Sequence, residues 1–482
     1  MSDLFNPSPE HRALRDLVRS FTEREVDPQA EASDHDERFN VQLFARLGEL
    51  GLLGITVEER FGGAGLDPVA AVIVHEELSA ADPGFALAYL SHSMLFANNL
   101  QINGSDEQRS KYLPVACAGG KVCGMCMSEP GAGTDVLGMQ TTAVRKDDVY
   151  VLNGAKMWIT NGAVSDTELG DTFLVYARVQ GSPRNQLSMF IVEKGFAGFS
   201  LGQKIKGKLG MRASTTAELV FEDCQVPAEN LVGAEGAATL HMMRNLELER
   251  VTLAGMSLGI ARRSIEVMNR YASERTSFGK PLREFGQIQR YISQSYAEYM
   301  AGRAYTYYTA STMSLDTPGH RLDSDGAKLF TSTMAKDVAD RAIQVLGGYG
   351  YVAEYVVERL WRDAKLLEIG GGTLEAHQKN MCRELGHTER ILWETSHLAR
   401  FAHDFASLSR RWLYRAAMLC SVTLSLWGGI GRSDARSRSQ RYTCAASRPS
   451  GSRKVRRLRC PRTPCARRDG RDSSHAPRQH RR

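Results

Sequence analysis

Apolar positions recur along this chain with two different periods, and the places where the period changes divide it into regions. Ser8-Pro9-Glu10 offers an N-cap, a proline at the first helical position and an acid in the first turn. Leu14, Leu17, Val18 and Phe21 follow at helical spacing, and similar stretches at 41–52 and 70–78 carry a helical region to about residue 118. Near Lys121 the pattern changes. Val149-Tyr150-Val151-Leu152, then Asn153-Gly154, then Lys156-Met157-Trp158-Ile159-Thr160 read as two short strands around a tight turn. Residues 173–179, 187–192 and 218–221 read as further strands, and short strands at this frequency predict a compact β-barrel or sandwich. From Ala237 helical spacing returns in long segments, through Met268 and then over 286–313, 324–346 and 375–385, the pattern of a bundle.

The predicted fold is therefore α+β. Its parts are an N-terminal helical domain (1–120), a middle β-barrel or sandwich domain (121–235), a C-terminal four-helix bundle (236–388) and an extension (389–482). That extension is predicted to be largely disordered, and it is Arg-rich from residue 431.

Composition adds an asymmetry. At roughly 150 residues per domain, 482 residues fit three domains. A chain that is 42% hydrophobic and 24% charged is not wholly disordered, collagen-like or a disulfide scaffold. The net charge of +6 is unevenly spread: residues 432–482 hold sixteen Arg and one Lys against three Asp, a net of +14, which leaves −8 for residues 1–431. An acidic globule carries a basic tail. The tail lacks aromatic interleaving and helical periodicity, so nucleic-acid binding ranks behind a disordered extension. Nine scattered cysteines make no disulfide framework, the first residues show no apolar signal segment, and the apolar stretch 416–430 is too short to span a bilayer. These features predict a cytoplasmic protein with no membrane partner. Cys123 and Cys126 have no second pair at metal spacing and read as core residues, so no metal is expected.

One local anomaly bears on chemistry. At 100° per residue, Met242, Leu246, Leu253, Met256 and Ile260 line one narrow stripe. Glu249 lies within that stripe, while Glu247 lies well outside it. A carboxylate on a core-facing stripe must be paired, or its pKa rises, and a raised pKa suits a general base acting on a weakly acidic C–H. A buried ion pair with Arg250 or a neighbouring helix is the competing reading.

Four separated segments resemble one flavoprotein family. Met127-Ser128-Glu129-Pro130-Gly131-Ala132-Gly133-Thr134-Asp135 and Trp158-Ile159-Thr160-Asn161-Gly162 resemble the two flavin-binding segments of the acyl-CoA dehydrogenases. Arg275-Thr276-Ser277-Phe278-Gly279 is similar to the family's helix-end motif beneath the FAD diphosphate. Gln344-Val345-Leu346-Gly347-Gly348-Tyr349-Gly350-Tyr351, followed by Arg362-Asp363-Ala364-Lys365, resembles its C-terminal signature. The resemblance runs from about residue 5 to residue 388, in the family's order and spacing.

It implies FAD as cofactor, held by Met125, Cys126 and the segment Met127 to Thr134, and by Trp158, Ile159 and Thr160. It also implies contacts from Arg275, Phe278 and Gln287, from Gln344, Val345, Leu346, Gly347 and Gly348, and from Thr373, Leu374 and Glu375. Ser128 would meet the flavin pyrimidine edge, Thr160 the N5 atom, and Trp158 the side of the ring. The acyl-CoA substrate would meet Thr134, Leu240, Glu247, Leu248, Arg250, Gly371 and Gly372.

Many members carry the catalytic Glu just before a Gly-Thr, and here that position is Gly371. A subset places it in a Leu-x-Leu-Glu-Arg-like helical segment, matched by Leu246-Glu247-Leu248-Glu249-Arg250. The resemblance thus implies Glu249 as the base, with hydride passing to flavin N5, in α,β-dehydrogenation of a short branched, isovaleryl-CoA-like substrate. Two positions depart from the pattern. Gly286 stands where Gln is usual, with Gln287 and Gln289 nearby, and Leu240 stands where an aromatic usually lines the acyl pocket. The alternatives are a longer or bulkier acyl chain, an oxidase, or a nucleic-acid-binding flavoprotein. Electron-transferring flavoprotein as acceptor and a homotetramer are also implied.

Overall fold

The computed structural model describes residues 3–181, 186–314 and 321–386; the expected extension over 389–482 lies outside the described residues. Capping chemistry starts the N-terminal helices. Ser8 caps α1 (Pro9–Phe21) by accepting from the His11 N–H. After α2 (Asp27–His35) and α3 (Val41–Glu49), Asp67 caps α4 (Pro68–Ser79) and Asp82 caps α5 (Pro83–Leu90). Beyond α6 (Asn99–Asn103), Ser105 and Gln108 close a capping box on α7 (Asp106–Cys117). Every residue of α4 is buried, because α1 covers one side and the first bundle helix, α8 (Ala238–Glu274), another.

The middle region is one eight-stranded sheet of order β6-β7-β3-β2-β4-β5-β8, with β1 pairing parallel to β4. Its strands are β1 (Cys123–Cys126), β2 (Thr142–Lys146), β3 (Val149–Thr160), β4 (Thr172–Val179), β5 (Leu187–Glu193), β6 (Phe199–Lys204), β7 (Thr216–Pro227) and β8 (Leu231–Val232). The end strands do not pair with each other, so the sheet wraps around one core without closing. Alternation explains the continuous apolar runs of β4 and β5. Phe173, Val175, Ala177, Phe190 and Val192 face the core inside the sheet. Leu174, Tyr176, Met189 and Ile191 face Phe96, Leu113 and Met242 of the helical regions.

Two expectations change. Residues 149–160 form a single strand, not two strands about a turn. It pairs with β7 along its length, and Asn153-Gly154 marks an irregularity in the register, where Gly154 has φ 146°. The reversal lies at Asp147 (φ 51°), between β2 and β3. Strand β6 had no counterpart in the sequence reading, and 218–221 is the centre of the longer β7.

The bundle comprises α8, a short hairpin of β9 (Thr276–Ser277) and β10 (Lys280–Pro281), then α9 (Gly286–Thr312), α10 (Arg321–Leu346), α11 (Val357–Leu367) and α12 (Leu374–Gly386). The middle of α8 is buried on all sides, from Glu247 to Ala261. The narrow stripe is therefore corrected: Glu247 is 7% exposed, as buried as its neighbours, because N-terminal and bundle helices both pack on α8. No helix among the described residues is long and apolar enough to cross a membrane.

Candidate active site

Glu249 sits in the buried part of α8 with 5% of its surface exposed. Arg250, the partner expected for an ion pair, turns instead to Asp325 of α10, with Nε 3.1 Å from Oδ1. Glu249 Oε2 has no hydrogen-bond partner. Burial pushes the carboxyl up to about 7, against the pull of Arg250 and Lys328.

The turn before α12 approaches the same carboxylate. Gly371 and Gly372 both lie in the left-handed region, at φ 66° and 98°. A Cβ at Gly371 would collide with Leu253 Cδ1 and stand 3.5 Å from Glu249 Oε1. The carboxylate thus occupies the place that a side chain rooted at 371 would reach. Among the described residues, neither Gly371 nor Gly372 donates its N–H to a backbone carbonyl.

The two glycine- and aromatic-containing segments of the middle domain are lashed together. Met157 N–H donates to Ser128 O at 2.9 Å, and Lys156 Nζ donates to Met127 O at 3.2 Å and Glu129 Oε1 at 2.8 Å. The Glu129 carboxylate also accepts from the N–H groups of Gln140 and Thr141, so it shapes the loop from inside rather than facing a ligand. Cys126 and Ile159 likewise point into the sheet core. Cys123 belongs to the core on the other side of the sheet from Cys126, so the two thiols do not face each other; burial pushes both well up.

Outward face Pro130, Gly131, Gly133, Thr134 and Trp158, with Ser128 and Thr160 half-buried beside them. Trp158 is 61% exposed at φ 66°, not a core tryptophan. A Cβ on Gly131 or Gly133 would meet nothing within 4 Å. An open, small-residue strip beside an exposed indole fits a flat ring system. Met125, Met127 and Leu246 share one apolar cluster, which sets this strip near the first turns of α8.

The other expected cofactor residues gather elsewhere. Arg275, Val345, Leu346 and Gly348 line a groove of about 460 Å³ with Tyr271 and Tyr349. Phe278, 93% exposed at φ 50°, Gln287, Gln344 and Gly347 lie exposed near the same helix ends. Thr373 caps α12, accepting from the Ala376 N–H, with Leu374 and Glu375 in the first turn. Since Glu249 and Arg275 are 26 residues apart on one helix, the groove lies about 39 Å along α8 from the carboxylate.

Two expected substrate contacts are not brought to Glu249. Leu240, in the first turn of α8 and 48% exposed, lies about 14 Å before it along the axis. Leu248 packs into the core cluster shared with α4.

Three neighbours were missed: Asp325, Lys328 and His377. One of them carried a signal, because Lys328 falls in phase with the buried Ala335, Val338, Ala339 and Ala342 of α10.

Comparison with known proteins agrees with this layout. Residues 8–120, 124–224 and 239–386 match the models for the N-terminal, middle and C-terminal domains of acyl-CoA dehydrogenase. A mitochondrial isovaleryl-CoA dehydrogenase of Solanum tuberosum is 41% identical over 377 residues, covering 78% of this chain and 90% of the relative. The butyryl-CoA dehydrogenase structure from Megasphaera elsdenii superposes with a TM-score of 0.74 at 33% identity, covering 80% of this chain and 99% of its own. An acyl-CoA dehydrogenase from Bacillus anthracis complexed with FAD superposes at 0.73 and 33% identity, covering 78% and 67%.

Proposed function

As a member of the acyl-CoA dehydrogenase family, the chain is an FAD-dependent oxidoreductase acting on acyl-CoA, and on that premise we propose that it oxidises a short branched acyl-CoA with Glu249 as base. The carrying observation is the Glu249 carboxylate itself: buried, unpartnered at Oε2, raised to about 7, and beside the Gly371 turn. A carboxyl raised toward neutrality is a stronger base toward a proton on carbon than an ordinary carboxylate, and it is ionised above that pH. FAD, when bound, supplies the acceptor for the hydride leaving the β-carbon. Ser128, Gly131, Gly133, Trp158 and Thr160 would hold its ring, and the N–H groups of Gly371 and Gly372 would polarise the thioester carbonyl. A short acyl chain is supported by the similarity to isovaleryl-CoA and butyryl-CoA dehydrogenases.

Three further readings belong to this proposal. The distance along α8 to the Arg275 groove supports an oligomer, read as the family's homotetramer, in which each cofactor is held by two protomers. Electron-transferring flavoprotein as acceptor is supported by the family membership and by the similarity to a solved structure described with the electron transferring flavoprotein of Acidaminococcus fermentans. The five described cysteines are all free, which fits a reducing compartment such as the cytosol.

The decisive experiment is anaerobic bleaching of the bound flavin by isovaleryl-CoA. We expect rapid bleaching by the native protein and a loss of at least about a thousandfold in Glu249→Gln. Bleaching that survives the substitution overturns the assignment of the base.

A further inference from the structure

Behind the Gly371–Gly372 turn lies a cluster of charged side chains for which proton abstraction has no evident use. Lys328 Nζ donates to the Gly372 carbonyl at 2.7 Å, and His377 Nε2 lies 3.0 Å from the same oxygen. Lys328 fills one lone pair of that carbonyl, and His377 fills the other when its ring proton sits on Nε2. His377 Nδ1 is 2.6 Å from Asp325 Oδ1, and Asp325 also meets Arg250. Asp325 and Lys328 are fully buried, and His377 is 1% exposed.

Burying such groups costs several kcal/mol per ion before any pairing offsets it, so the arrangement needs a return elsewhere. Helix capping is not that return, because Thr373 already caps α12. Nor do the groups reach the reacting atoms directly, because their hydrogen bonds end on the far carbonyl of the turn. That turn is Gly370-Gly371-Gly372, the tripeptide with the widest backbone freedom and no side chain to anchor it.

We propose that His377 is a positioning residue: oriented by Asp325 and assisted by Lys328, it holds the Gly372 carbonyl so that the N–H groups of Gly371 and Gly372 stand fixed beside Glu249. This rests on Glu249 being the base and the turn being the group that polarises the thioester. The benefit is geometric. A polarising N–H displaced by about 1 Å loses on the order of a hundredfold in rate, while overall affinity for the long acyl-CoA, set by many other contacts, changes little.

Two amides separate the roles of the imidazole nitrogens. Glutamine can place its amide nitrogen where Nε2 lies and so keep a donor on Gly372; asparagine can place its nitrogen only where Nδ1 lies, facing Asp325. FAD-loaded protein would be followed by the limiting rate of anaerobic bleaching with isovaleryl-CoA, by substrate affinity, and by the infrared C=O stretch of bound enoyl-CoA product. His377→Asn should slow bleaching about tenfold to a hundredfold, change affinity less than about threefold, and shift the C=O stretch toward its free value. His377→Gln should recover most of the rate and the stretch. Lys328→Met, which removes the second donor, should move the stretch in the same direction, and it serves if the asparagine variant does not fold. Equal behaviour of the two amides, or a loss confined to affinity, overturns the proposal. If Glu249→Gln leaves bleaching intact, the base assignment falls and this inference falls with it; if that variant is dead and the histidine variants are unaffected, only the inference fails.

Discussion

Burial without a partner defines Glu249, and it has a thermodynamic signature independent of turnover. The carboxyl is raised from its ordinary 4.5 to about 7, so between those values the folded protein holds a proton that the unfolded chain has released. Stability therefore falls as pH rises through that window. Glu249→Gln removes the cost: melting should be unchanged near pH 5 and delayed at pH 8, by about 3 kcal/mol of stability. No gain at pH 8 would mean that the carboxylate is solvated or paired. Gly371→Ala should lose about 1–3 kcal/mol in the same assay, since it forces a side chain to φ 66° and into Leu253. Glu249 was legible in the sequence because a charge broke an apolar stripe. Lys328 broke one as well, but its stripe on α10 is built mostly of Ala and advertises itself weakly. The contact of His377 with Gly372 depends on two left-handed glycines, which no periodicity reveals.

Single elements carry a second buried network, which ties the helical regions together. Glu76 and Glu77 of α4 meet Arg15 of α1 at 2.9 and 2.6 Å, Arg262 of α8 meets Glu77 at 2.7 Å, and Arg303 of α9 meets Glu76 at 3.0 Å. The hydroxyls of Tyr299 and Tyr307 also donate to Glu76. Burial pushes the Glu76 carboxyl up, but Arg303, Arg15 and Arg262 outweigh it and hold the group below its ordinary 4.5. Its stabilisation is therefore present above about pH 4.5 and is lost as pH falls below that. Glu76→Gln strands Arg303 and takes one of two carboxylates from Arg15, and it should cost about 3–5 kcal/mol at pH 7, with a penalty that shrinks in acid. Calorimetry at pH 7 and pH 3.5 checks both parts, and a pH-independent penalty would refute the charge argument. The start of α1 was readable because Ser8 announces itself as a cap; Asp67, Asp82 and Ser105, which cap α4, α5 and α7, carry the same kind of signal. Strand β3 was misread because Asn-Gly usually signals a hairpin, whereas its partner β7 runs past the irregularity and holds the strand straight on. Tertiary pairing overrode local turn chemistry.

At the scale of the molecule, the Arg275 groove lies about 39 Å along α8 from Glu249, the separation on which the proposed sharing of each cofactor by two protomers rests. Mixing two defective proteins tests this. If each site joins Glu249 of one copy to Arg275 of another, subunits bearing Glu249→Gln and Arg275→Glu should complement each other: random mixing rebuilds about a quarter of the sites with both native residues. Activity no higher than the average of the two parents would show that each protomer holds its own site. Three domains and their order were legible because the hydrophobic period switches between them; the proposed division of labour between copies followed from no periodicity, because it depends on distance in space. The length of α8 has one more consequence, for what evolution can do to it. Each residue added to a helix turns everything beyond it by 100° and advances it by about 1.5 Å. The stretch between Glu249 and Arg275 can therefore drift freely in composition on its exposed positions but not in count. One alanine inserted after the exposed Glu266 would leave a sound helix whose far end points Arg275 the wrong way.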